Sequence, residues 1–140
     1  MKMRGGKNKA SLRISSEITY VKEVTDALGI DPDSFVEKGS RAVLNDPKSY
    51  VHLANMWRLE SDIDESESLD AHLIRLIEFV ESRISVFENL SETCEFDIFC
   101  GYFPNGYTGH ISLSPELLKR LTTIPIKIII KMYQPNSGDE

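Results

Sequence analysis

Residues 94–121 run from an alternating segment through a glycine-rich bend into a capped helix start, and this order of signals limits the fold more than any other stretch. In residues 94–103, Phe96, Ile98 and Cys100 fall on one face, while Glu95, Asp97, Phe99 and Gly101 fall on the other. That period of two is a strand with one buried face. Further on, Ser114 offers a capping oxygen, Pro115 suits the first helical position, and Glu116 suits the positive end of the helix dipole. A strand and a helix joined by a turn that lets them fold back are the ingredients of a layered α+β domain.

The rest of the chain repeats these ingredients. Ala10, Leu12 and Ile14 alternate with Ser11, Arg13 and Ser15, which predicts a first half-buried strand. From Ile18 the period changes to helical through Val21, Val24, Ala27 and Leu28, ending at Gly29. Residues 35–40 read as a short strand. Asn45-Asp46-Pro47 is turn chemistry, and residues 50–60 read as a longer strand. Leu69, Leu73, Leu76, Ile77, Val80, Ile84 and Phe87 form one apolar stripe, which predicts a single long helix over residues 68–89 with His72 at its border. The acids from Glu60 to Glu67 lack the glycine and terminal glutamate of a calcium loop, and they favour the N-terminus of that helix instead. A last strand spans residues 126–133, with Ile126, Ile128, Ile130 and Met132 toward the core and Lys127, Ile129, Lys131 and Tyr133 away from it.

The expected fold is therefore α+β: a two-layer sandwich, a ferredoxin-like βαββαβ unit with an added αβ, with helices on one face of a mostly antiparallel sheet. Residues 10–133 form one domain, between mobile tails at residues 1–9 and 134–140.

Composition enters where function is at issue. A net charge of −6 and a pI near 5.1 argue against nucleic-acid binding and against a membrane-surface role. The two cysteines, six residues apart on one strand, lie roughly 20 Å apart at strand rise, beyond disulfide reach. Two reduced thiols and no signal segment point to the cytoplasm. No His/Cys spacing matches a metal site, and no phosphate-binding or nucleophile motif is present, so no catalytic residue, metal or cofactor is expected. A Cys100 nucleophile with His110 as its base is disfavoured, because a thiol on the core side of a strand is normally inert.

Two surfaces remain. One is the second sheet face, where Phe99, Ile129, Tyr133 and Met56, beside Arg58, form a patch that is either an interface or covered by a tail or loop. The other is the bend at residues 103–110, which presents Phe103, Asn105, Tyr107 and His110 on a glycine-hinged backbone. A non-catalytic protein-binding module is the leading expectation, the toxin-neutralising immunity kind being one concrete version. The alternatives are a ligand-binding domain or enzyme, with a pocket between sheet and long helix near His110, Tyr107 and Asp97, and a homo-oligomer joined through the open face.

The run Ala10-Ser-Leu-Arg-Ile-Ser, the Leu28-Gly-Ile-Asp-Pro helix exit, Lys38-Gly39, Trp57-Arg-Leu-Glu-Ser, Phe96-Asp-Ile-Phe-Cys-Gly-Tyr-Phe and Leu113-Ser-Pro-Glu-Leu-Leu occur in this order. Together they resemble the bacterial domain-of-unknown-function family 4279. The resemblance spans about residues 10–133 and implies a stand-alone bacterial domain. It brings no activity and no catalytic residue with it.

Overall fold

A computed structural model describes residues 6–106 and 109–133. Its organising strand is β1, Lys7–Ser16, flanked by β3, Asn55–Glu60, and β4, Glu95–Phe103, both antiparallel to it. β2, Ser34–Val36, pairs antiparallel with β3 on one side. β5, Lys127–Met132, pairs parallel with β4 on the other. The order of the single five-stranded sheet is β2-β3-β1-β4-β5. The antiparallel expectation thus holds for the first four strands and fails at the fifth, so the sheet is mixed. The reason is the connection: β4 reaches β5 through a helix, and such a crossover returns the chain in the same direction.

Register sets the two faces. Ile14 lies between Trp57 and Phe96, Leu12 between Leu59 and Ile98, and Ala10 opposite Cys100. The buried apolar side chains of all the helices join the cluster on this side, among them Val24, Leu28, Leu73, Leu76, Ile77, Val80 and Leu117. Full burial of each large side chain stabilises by about 1.5–3 kcal/mol. Trp57, fully buried, also donates its indole N–H to Thr25 Oγ1 at 3.1 Å, so no polar atom is left unsatisfied.

The helices form where caps and apolar spacing coincide. α1, Val21–Leu28, starts after Tyr20, whose N–H donates to the Glu23 carboxylate at 2.8 Å, and it stops at Gly29, whose φ of 73° suits glycine. It begins three residues later than its apolar period implies. Ser16 Oγ accepts from the N–H groups of Ile18 and Thr19, holding a turn there and leaving Ile18 exposed. The long helix is two helices, α2, Leu69–Glu81, and α3, Ile84–Leu90. At the break, Ser82 Oγ donates to Phe79 O, and Arg83 lies over the Phe79 ring at 4.2 Å with its Nε donating to Leu28 O. These side-chain bonds compete with the helical ladder, and the apolar stripe alone does not register them. α4, Pro115–Leu121, is capped as its sequence implies, Ser114 Oγ accepting from Leu117 N. Asp70 accepts from both Ser114 N (2.6 Å) and Ser114 Oγ (3.1 Å), tying α4 to the start of α2.

Two strand starts and one exposure differ from expectation. β1 takes in Lys7–Lys9, which the sequence reading assigned to a mobile tail. Asn8 is nearly buried there, held by N–H donation to Glu65 O and side-chain donation to Glu67 O. β3 begins at Asn55 rather than residue 50. The preceding residues fold back in a hairpin arm, with an Arg41–Val51 bridge and bonds from Ala42 N to Tyr50 O and His52 N to Ser40 O, leaving Tyr50 and Leu53 exposed. Ile130 and Met132 point to the helix side as expected but are 39% and 53% exposed, because the sheet edge extends past the helices.

Candidate functional site

The second face is built from the alternate residues of the same strands. On β1 these are Lys7, Lys9, Ser11, Arg13 and Ser15; their partners are Glu60, Arg58 and Met56 on β3 and Phe103, Gly101, Phe99, Asp97 and Glu95 on β4. β5 adds Lys127, Ile129 and Lys131. The centre of the face is one layered contact. Arg13 donates to Asp97 through Nε (2.7 Å) and Nη2 (2.9 Å), a bidentate pair with side chains 21% and 19% exposed. The same guanidinium lies 4.6 Å over the Phe99 ring. Beside it Arg58 donates to the buried hydroxyl of Ser11 at 3.0 Å and pairs with Glu60 at 3.3 Å. Ile129 sits opposite Phe99, and Met56 opposite Ser15 and Val36, each half-buried.

One end of the face is aromatic. Phe103 and Tyr133 stack with ring centroids 4.4 Å apart and planes 5° apart. Lys131 lies 4.8 Å from the Tyr133 ring centre and Lys9 5.8 Å from that of Phe103. Gly101 lies beneath them: a Cβ there would stand 3.2 Å from the Phe103 ring and 3.4 Å from Tyr133, so its missing side chain makes room for the stack. The structure therefore brings Phe103 onto the sheet face with Phe99, Ile129, Tyr133, Met56 and Arg58. Asn105 and His110 stay exposed on the bend, and Tyr107 lies outside the described residues.

Charge is segregated. The strand residues of this face carry six cations, Lys7, Lys9, Arg13, Arg58, Lys127 and Lys131, against three acids, Glu60, Glu95 and Asp97. The chain as a whole carries −6. Among the described strand residues, cations thus outnumber acids on the face that also presents aromatic side chains, an arrangement that total charge conceals.

A second polar constellation lies at the other side of β1. His72, 1% exposed, accepts through Nδ1 from Ser61 Oγ at 2.6 Å and donates through Nε2 to Asp64 O at 3.1 Å. A carbonyl only accepts, which assigns the proton to Nε2. Burial pushes the imidazole below its ordinary range. A cleft of about 220 Å³ beside the pair is lined by Asn8, Lys9, Ser61, Asp62, Glu65 and His72. Sequence reasoning missed this pair because its members come from different elements; the signal was His72 standing three residues after Leu69 and four before Leu76, on the apolar side. Asp64 itself accepts from Ser66 N and Oγ, which hold its carboxyl below the usual range. Cys94 and Cys100 are free and buried, and burial, with the Asp97 charge, pushes the Cys100 thiol up to about 12. With Cys100 in the core and His110 at the surface, the two do not form a nucleophile and base. Among the described residues no three His, Cys, Asp or Glu side chains gather where they could hold a metal ion, and no helix is long and apolar enough to cross a membrane.

A family described as Domain of unknown function (DUF4279) matches residues 6–135, nearly the whole chain, and the protein belongs to that family. No curated protein matches the chain, and no solved structure does.

Proposed function

We propose that this family member is a binding module without chemistry of its own, which docks a protein partner on the second face of its sheet. The observation that carries this reading is the concentration of cations and aromatic rings on a sheet face to which, among the described residues, no helix contributes a buried apolar side chain. Such a face is rigid, because its strands are locked by the core on the other side, and a partner meets it without large rearrangement. The charge favours an acidic partner and raises the rate of encounter with one. An immunity-type role toward a basic toxin calls for the acidic remainder of the surface instead. Stacking of nucleobases is disfavoured, since Phe99 is covered by Arg13 and the Phe103 and Tyr133 rings cover one another. A two-fold pairing of this face with itself brings like charges together, which opposes the homo-oligomer reading.

The first four strands, in the order β2-β3-β1-β4 and antiparallel throughout, support reading the scaffold as a ferredoxin-like βαββαβ unit with α4 and β5 appended. Two free buried thiols fit a cytoplasmic setting. The ligand-pocket alternative draws on the Ser61–His72 cleft of about 220 Å³, whose imidazole is already saturated, or on an open cleft of about 570 Å³ lined by Ser16, Ile18, Ser91, Thr93 and Glu95, which neither His110 nor Asp97 lines.

The test is affinity capture with cross-linking from the native cell, comparing the wild type with Phe99→Ser/Met56→Ser and with Leu44→Ser on the exposed arm. A specific partner lost on the face variant and kept on the arm variant is expected. Equal capture by all three proteins would refute face docking.

A further inference from the structure

The face ends in a strand whose outer side no described residue pairs. β5 is the last strand of the sheet. Tyr133 N donates inward to Tyr102 O at 2.8 Å, and backbone direction alternates along a strand, so the N–H and C=O groups of Ile128, Ile130 and Met132 point outward. Edge strands with free backbone are templates for another strand, and proteins commonly guard them with lysine. Here Lys127 and Lys131 are exposed on either side of half-buried Ile129, while Ile130 and Met132 are exposed on the other side. The edge is thus apolar along its length and cationic at both ends of one side.

Those lysines select among occupants. A second copy pairing antiparallel about Ile129 sets Lys127 opposite Lys131 twice, and directly opposed like charges destabilise a sheet; pairing about Ile130 sets Lys131 opposite Ile129, and no register of residues 127–133 gives either lysine an acid. An extended segment with an acid at each end of an apolar core of three residues does the reverse: its acids meet both lysines, and its middle residue meets Ile129. The pattern is symmetric, so it fits in either strand direction.

The geometry points to β5 as a strand-addition site for an acidic-ended apolar segment of a partner protein, which extends the sheet by a sixth strand. This rests on the docking-face reading and names where on that face the partner begins. Main-chain hydrogen bonds hold the added strand, and the lysines and isoleucines read its side chains.

The probe is a peptide with the core Glu-Val-Ile-Val-Glu between glycine–serine flanks, compared with a scrambled peptide and with one bearing lysine in place of glutamate. Titration of the full chain is read by fluorescence anisotropy, and amide hydrogen exchange locates the contact. Expected results are binding that weakens with salt, exchange protection at Ile128, Ile130 and Met132, and about a tenfold loss in Lys127→Glu/Lys131→Glu. Ile130→Pro removes an outward N–H and trims a side chain that is 39% exposed, a change edge strands tolerate; it should abolish binding while keeping the urea midpoint near that of the wild type. Should Ile130→Pro unfold the chain, the lysine variant and the exchange pattern decide the matter alone. Equal binding of the scrambled peptide, absence of binding, protection outside β5, or wild-type dimers protected at β5 would each overturn strand addition. A partner lost on Phe99→Ser/Met56→Ser but kept on Ile130→Pro also overturns it, and leaves face docking intact.

Discussion

Leu12 and Arg13 are neighbours in β1 and end in opposite worlds. Leu12 enters a dry layer with Ile98 and Leu76, fully out of contact with water. Arg13 enters a half-wet layer, clamped to Asp97 and spread over Phe99. The first face gains stability from apolar area, which is non-directional and grows with each side chain removed from water. The second gains little net energy from ion pairs, whose attraction is offset by desolvation. Its pairs instead hold long side chains in one geometry. The difference teaches that one face specifies the fold, while the other presents a defined surface at small cost to it.

The sharpest way to break that comparison is to truncate equivalent positions. Trp57→Ala, on the dry face, should lower unfolding free energy by about 3–5 kcal/mol in urea titration, with the Thr25 hydroxyl losing its donor. A comparable loss for Phe99→Ala would mean that the second face is a core as well. Next in size, Arg13→Met should cost about 1–2 kcal/mol because it leaves the shielded Asp97 without its partner. The double variant Arg13→Met/Asp97→Leu should recover most of that loss, and failure to recover would show that the pair holds more than geometry.

Gly101→Ala tests the aromatic end. Its Cβ meets the Phe103 ring at 3.2 Å, so the rings must shift, at about 1 kcal/mol, with a change in the near-ultraviolet circular dichroism of Tyr133. An unaltered spectrum would show that the stack does not depend on the missing side chain. The smallest change is a slope rather than a step. His72 binds a proton less readily when folded than when unfolded, because burial lowers its pKa. Its contribution is therefore intact above the unfolded value of about 6.5 and declines as pH falls from there toward the lower folded value. Urea midpoints measured downward from pH 7.5 should fall through this window in the wild type and less steeply in His72→Gln. A midpoint that rises on acidification contradicts the assignment.

Much of the first face was legible in the chain. Alternation in β1 and β4, the apolar stripe of α2 and the Ser114-Pro115 cap are local signals, readable within one element. The break at Ser82 and Arg83 was not, because Ile84 and Phe87 continue the stripe while the interruption comes from bonds to Phe79 and to Leu28 of another helix. The early start of β1 depends likewise on Asn8 meeting Glu65 and Glu67. Of the candidate site, Phe99, Ile129, Met56, Arg58 and Tyr133 were assignable to one face by parity. Phe103 shares their parity but was also read as part of the bend; its register with Lys7, a pairing between residues 96 positions apart, keeps it in the strand.

By its own pattern, then, the chain determined which side chains of each strand turn inward and which turn out, since a period of two leaves no other choice once one side is greasy. Tertiary structure alone decided that β5 returns parallel, that Arg13 finds Asp97 across 84 residues, and that six cations collect on one surface of an acidic protein. These depend on which strands lie side by side, and adjacency is settled by the energy of the whole packed sheet rather than by any segment within it.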